Sequence, residues 1–309
     1  MSDPLLVVIA TAVLIAAFAV INRTTQLGVV ARGTFREAIR QPVFLFMVVL
    51  AIFLFFLYIF LPFFTFGDDT KVYIDSCLAT VLVSSLLLAV WTASQSVAEE
   101  REGKTVMTLL SKPITRAQFI LGKFLGIVQA VLLQIIVLAL VLVPCAYDKY
   151  GRDAKESGKG RVDYFEPQEV LGREMLWLQP ERLDTAVSIL PPMALVFLQV
   201  AVMTSIAVAV STRLPSLVGL ILCFAIFVLG NLLPTLSQAA SDDLVFLKFV
   251  ANLFATILPG LWMFDTNTAV STGRAIPLDH LGTIAFYAVC YMAVMMLVAF
   301  LLFEDEDLA

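Results

Sequence analysis

Several stretches of this chain run for about 18 residues or more with scarcely a charge, and that constraint leaves few possible folds. About 20 apolar residues in a helix span the ~30 Å hydrocarbon core of a bilayer. Inside that core the backbone must satisfy its own hydrogen bonds, which a helix does within one segment. Apolar runs lie at about Leu5–Ile21, Val43–Phe64, Ser76–Val97, Thr115–Cys145, Ala186–Val210, Leu217–Leu236 and Leu281–Phe303. They predict seven membrane helices. Composition agrees, with 60% hydrophobic and 15% charged residues against about 45–50% and about 25% in soluble domains. The predicted fold is an all-α integral membrane protein: a six-helix body with an extra N-terminal membrane helix. The roughly fifteen apolar-dominated residues from Leu244 to Leu258 are too few to cross. They read as a short re-entrant or interfacial helix before the last span.

The chain divides on this reading into the extra helix at 1–22 and the body at 23–309. The first run is followed by Asn22 and Arg23 and not by a small-residue cleavage site, so it reads as a retained helix. Within the body, residues 25–41 carry Arg32, Arg36 and Arg40 at every fourth position, on one helical face. Thr34 with Glu37 resembles a capping box. A helix lying on the membrane surface with its arginines toward the headgroups fits this pattern, ended by Pro42. GDDTKVYID forms a short acidic loop, and Thr115 with Gln118 gives a second capping box opening the fourth helix, whose outer end Pro144 marks. Residues 146–184 form a long hydrophilic loop with a few aromatics.

Lys and Arg near helix ends set orientation. Segment 22–41, the polar stretch Glu99–Lys123 and the STRLPS turn hold ten basic residues, densely placed. The alternate segments also hold ten, but seven of these sit in 146–184 among nine acids. The dense segments therefore face the cytoplasm, which makes 146–184 extracytoplasmic, the N-terminus outer and the C-terminus inner.

The spans are nearly free of charge, which argues against ion-coupled transport. Gln129, Gln134 and Gln199 are polar but neutral, and Lys123, one turn into its helix, is expected to snorkel to the surface. The single histidine, His280, has no HExxH or G-x-S-x-G around it, so no metal site and no catalytic site is expected. Cys77, Cys145, Cys223 and Cys290 form no CxxC pair. Gly103-Lys104-Thr105 spells the tail of a phosphate-binding loop, but Ala98 stands where that loop needs glycine, so no cofactor is assigned to this chain. No basic patch with interleaved aromatics points to nucleic acid. Gly122 and Gly126 form a GxxxG that permits close helix approach or simply faces lipid. The aromatic run FLFFLYIFLPFF suits packing, lipid contact or a route for an amphiphile.

The elbow at 98–117 has an internal order. Acids come first, then a glycine, then an apolar side of Val106, Met107, Leu109 and Leu110, then the stop at Pro113. A short amphipathic helix between two spans can seat its apolar side in a groove on a soluble partner. An ordinary solvated loop is the other reading of the same residues. Glu100-Arg101-Glu102-Gly103-Lys104-Thr105, then Leu109-Leu110-Ser111-Lys112-Pro113-Ile114-Thr115-Arg116, then Gly122-Lys123, resembles the signature of ABC type-2 permeases. These are the membrane subunits of ATP-binding-cassette exporters.

The resemblance implies a six-helix type-2 exporter transmembrane domain whose elbow is a coupling helix. It implies that Glu99, Glu100, Arg101, Glu102, Gly103, Thr105, Leu109, Pro113 and Arg116 dock a separate ABC ATPase subunit, which carries the ATP and Mg. The implied protein is no enzyme itself. It is a permease subunit in the plasma membrane, paired with its own copy or a related permease and exporting a substrate. The extra N-terminal helix departs from the commonest family plan. From the residues alone, a non-transporting membrane anchor or assembly factor acting through 146–184 is the alternative.

Overall fold

A computed structural model describes residues 2–61, 69–99, 115–156, 164–170, 173–239, 258–266 and 277–304. Within them, helices α1 (Ser2–Thr24), α2 (Gln26–Arg40), α3 (Pro42–Phe60) and α4 (Asp69–Ala93) come first, and α4 runs on into a π-helical turn, Ser94–Glu99. Then come α5 (Arg116–Glu156), strands β1 (Phe165–Val170) and β2 (Arg173–Leu178), and α6 (Pro180–Val187). Helix α7 (Leu190–Ser211), α8 (Ser216–Ala239), a 3₁₀ turn at Leu261–Phe264 and α9 (Leu278–Glu304) complete the order. Six helices among the described residues are long and apolar enough to cross a membrane, and α8 adds a shorter apolar stretch, Ser216–Leu232. The body is an all-α integral membrane fold. Among the described residues its one departure is an antiparallel hairpin in the hydrophilic loop, with Phe165 opposite Leu178 and Val170 opposite Arg173.

Burial orders the layers. In α7, 78% of the apolar stretch is enclosed, against 6% in α1, so α7 is the central post and α1 a peripheral helix. The core joins α4, α5 and α7, with Leu86, Ala89, Ile127, Leu138, Val200 and Met203 all at or near zero exposure. Neutral amides knit the spans across buried surface, as expected where lipid offers no hydrogen bonds. Gln134 Nε2 donates to Ser84 Oγ at 3.3 Å, and Asn22 Nδ2 donates to Gln129 Oε1 at 2.9 Å. The aromatic run divides: Phe55 is buried and its carbonyl accepts the Tyr73 hydroxyl at 3.4 Å, whereas Phe53, Phe56 and Phe60 are exposed on the outside of the helix bundle. All four cysteines are free thiols, three buried and Cys290 exposed.

Several helix limits differ from the sequence reading, each for a physical reason. Residues Asp69–Asp75, expected in a loop, form the first turns of α4, because Tyr73 and Ile74 bury their side chains against the core. Helix α5 does not stop at Pro144 but continues to Glu156. A proline removes one backbone bond and crowds the previous turn. Here the turns beyond it are held by contacts of Tyr147 and Asp153 with neighbouring segments. The fifth apolar run begins later than Ala186: Ser188 and Ile189 separate α6 from α7, and Pro191 and Pro192 take the first turn of α7, where a missing N–H costs nothing. Thr34–Glu37 is not a cap. Thr25 caps α2, accepting from Gly28 N at 3.0 Å, and Thr34 is buried mid-helix with its hydroxyl on Val30 O. The stretch Leu244–Leu258 lies outside the described residues but for Leu258.

Candidate coupling site

Glu100, Arg101, Glu102, Gly103, Thr105, Leu109 and Pro113 lie outside the described residues. Glu99 ends the π-helical turn, and Arg116 opens α5. The elbow stands on a base made by the end of α4, the start of α5, and α2, which packs on α5 and reaches the end of α4 through Glu37.

Helix α2 buries one face of small residues, Gly28, Ala31, Thr34 and Ala38, and turns Gly33, Arg36, Glu37 and Arg40 outward. The small face meets the two glycines of α5. A Cβ on Gly122 would lie 2.6 Å from Val30 Cβ, and one on Gly126 would lie 2.6 Å from the Ala31 carbonyl oxygen. The GxxxG is therefore the seat of α2 and not a lipid face, since only residues without side chains let the two backbones approach this closely.

Between the two glycines, Lys123 is 4% exposed and does not snorkel. Its ammonium donates to Ser96 Oγ at 2.7 Å and lies 3.7 Å from Glu37 Oε2. Ser96 Oγ donates onward to Glu37 Oε2 at 3.4 Å, and Lys123 Nζ also sits 5.7 Å from the centre of the Phe119 ring. The burial follows from position. Lys123 lies on the α5 face covered by α2 and by the π turn, so its charge is met there and not in solvent. A π turn widens the helix by one residue per turn and is often found at functional positions. This one places the 1% exposed Ser96 between a cation on α5 and an anion on α2. Three elements thus meet in one polar clasp.

The start of α5 is fixed twice more. Thr115 and Gln118 form the capping box read from sequence: Gln118 N donates to Thr115 Oγ1 at 3.3 Å and Thr115 N donates to Gln118 Oε1 at 3.1 Å. Arg116 Nη1 donates to the Phe303 carbonyl at 3.4 Å, and its guanidinium lies 6.0 Å from the Phe303 ring centre. Phe303 in turn stacks on Phe119 at 6.1 Å. A cation at the last carbonyls of α9 suits that helix's negative end. The elbow base is therefore tied to the final span as well.

Sequence reasoning placed Arg116 and Lys123 at the start of this helix but took Lys123 to snorkel, and it missed Ser96 and the role of Glu37. The available signal was the stripe Gly28, Ala31, Thr34, Ala38 on one helix, matched by a GxxxG beside Lys123 on another.

Fold and site together define a multi-pass membrane protein whose spans converge on one polar junction. The family model described as ABC-2 family transporter protein matches residues 28–308. The chain belongs to that family and is an ABC type-2 permease, a membrane transport component. No curated protein matches it. The match begins inside α2, after the extra helix α1.

Proposed function

We propose that this chain is the permease subunit of an ABC exporter whose elbow at 98–117 receives a separate ATPase subunit. ATP and Mg belong to that partner. Glu99, Glu100, Arg101, Glu102, Gly103, Thr105, Leu109, Pro113 and Arg116 lie at or beside the docking surface. The dense basic segments, the elbow and the C-terminus face the cytoplasm, and 146–184 faces outward across a plasma membrane. A second copy, or a related permease, completes the path. With nearly uncharged spans, the cargo class is a lipid-like molecule, a drug-like amphiphile or a glycan.

The single observation that carries the proposal is the clasp of Lys123, Ser96 and Glu37 at the elbow's base. A push on the elbow reaches α4 through Ser96, α5 through Lys123, and α9 through Arg116 and Phe303. Only a contact that differs between two conformations can drive a change between them, and this junction lies where one body meets several helices. The test is charge reversal at the elbow, Glu100→Lys with Glu102→Lys, in a reconstituted permease–ATPase complex. The expected result is loss of substrate-stimulated ATP hydrolysis with the helical fold intact. Unchanged stimulation overturns the docking assignment.

A further inference from the structure

The outward face of α2 forms an open groove with the start of α3, lined by Gly33, Arg36, Glu37, Arg40, Gln41 and Pro42. We propose that this groove holds the headgroup of one anionic phospholipid, with its phosphodiester between Arg36 and Arg40.

Four observations carry the assignment. First, Arg36 and Arg40 are exposed, lie one turn apart, and make no hydrogen bond or ion pair among the described residues, whereas neighbouring Arg32 turns back to the Asn22 carbonyl. Two guanidinium forks at this spacing match the non-bridging oxygens of a phosphodiester. Second, the acid in the groove is already engaged. The Glu37 carboxylate faces Lys123 and Ser96, so the groove's uncommitted charge is positive. Third, Gln41 Oε1 is buried without a hydrogen-bond partner. It requires a donor, and because Gln41 lines the groove a turn of its amide brings this oxygen to a hydroxyl on a glycerol-type headgroup. Fourth, the groove lies at the membrane boundary, because α2 connects two membrane-length helices. Just beyond Pro42, Leu45, Phe46 and Val49 are exposed on α3 and offer a track for an acyl chain. Open space at Gly33, where a Cβ would meet nothing within 4 Å, leaves the approach clear.

The occupant is therefore a phospholipid with net negative charge and a hydroxyl-bearing headgroup, and its seat shares Glu37 with the clasp. This assignment does not depend on the export reading.

The experiment titrates short-chain phosphatidylglycerol, short-chain phosphatidylcholine and inorganic phosphate separately into the full chain in nonionic detergent, with calorimetric readout. Phosphatidylglycerol is expected to bind well above the other two. Arg36→Gln with Arg40→Gln should weaken it about thirtyfold, from roughly fivefold per basic residue at an anionic lipid surface. Arg23→Gln, an exposed arginine at the end of α1, should leave binding unchanged. Should the double variant fail to fold, Arg36→Lys with Arg40→Lys keeps the charge and should still lose affinity, because the fork is gone. Equal affinity for phosphatidylcholine, equal loss on Arg23→Gln, or inorganic phosphate binding as tightly as the lipid each overturns the site.

Discussion

Each end of α5 holds a buried lysine in an ion pair, and the two pairs differ in construction. At the elbow end, Lys123 is buried but its partner Glu37 has 45% of its side chain exposed, with Ser96 between them. At the far end, Lys149 and Asp153 are both buried, at 4% and 8%, and lie 3.2 Å apart. That contact is an ion pair at Asp153 Oδ1 without hydrogen-bond geometry, while Oδ2 accepts from Thr70 Oγ1 and so ties α5 to α4. On the same helical turns, the guanidinium of Arg182 from α6 packs on two tyrosine rings, 4.4 Å from the Tyr164 ring centre and 5.4 Å from that of Tyr147. A Cβ on Gly151 would lie 2.0 Å from the Arg182 guanidinium, so glycine is what gives the arginine its room. A pair in which both members are shut away from water has nowhere to go when broken. A pair with one exposed member can part into solvent at modest cost. The far end is built as a fixed joint, and the elbow end as one that can open.

The comparison breaks most sharply at Lys149. Lys149→Met strands Asp153 in a site that is 8% exposed, and a broken buried pair costs about 3–5 kcal/mol. Thermal unfolding of the purified chain in detergent should show that loss, and Asp153→Leu added to Lys149→Met should recover most of it. Equal stability of the single and double variants would mean the pair is not a joint. Gly126→Leu comes next. Its side chain would collide with the Ala31 backbone and Thr34. Overpacking of about 1–3 kcal/mol should lift α2 from α5, read as proteolytic release of the N-terminal segment.

Lys123→Met should cost less than Lys149→Met, about 1–2 kcal/mol, because Glu37 can turn to water. In the proposed complex with an ATPase subunit the same variant should cut substrate-stimulated hydrolysis several-fold while the ATPase still co-purifies. Thr115→Ala removes one half of the capping box and should cost about 1 kcal/mol by the same melting assay. The smallest effect belongs to Arg152→Gln. Its pair with Asp148 is surface-exposed, with 48% of the arginine side chain accessible, so the change should stay within about 0.5 kcal/mol.

Much of this architecture was legible because membrane helices announce themselves by length and apolarity. The runs around Val43–Phe64 and Leu281–Phe303 needed nothing beyond themselves to announce α3 and α9. Ends were harder to read, since they depend on what the chain packs against. Pro144 looks like a stop in isolation, yet the turns after it are held by partners more than ten residues away in sequence, such as Tyr164 and Gln179. The capping box at Thr115 was legible because it is a local exchange of hydrogen bonds; the similar Thr34–Glu37 pair was misleading because the true start of α2 is set by Thr25. Lys123 misled in the same way. Its distance along the helix suggested snorkelling, and only the arrival of α2 and the π turn made it a buried centre.

The length of α5 has a mechanical consequence. Its 41 residues make one helix of about 61 Å, roughly twice the hydrocarbon thickness. It carries the clasp near one tip and the arginine–tyrosine cluster near the other. A tilt of about ten degrees around its middle would swing each tip by about 5 Å, in opposite senses, by the geometry of a rod of that length, and the fixed joint would carry the start of α4 along with the far tip as one unit. A spectroscopic label on an exposed residue near the far tip, such as Arg152, would therefore work as a dial for events at the elbow. A ligand gripping that tip would brake them.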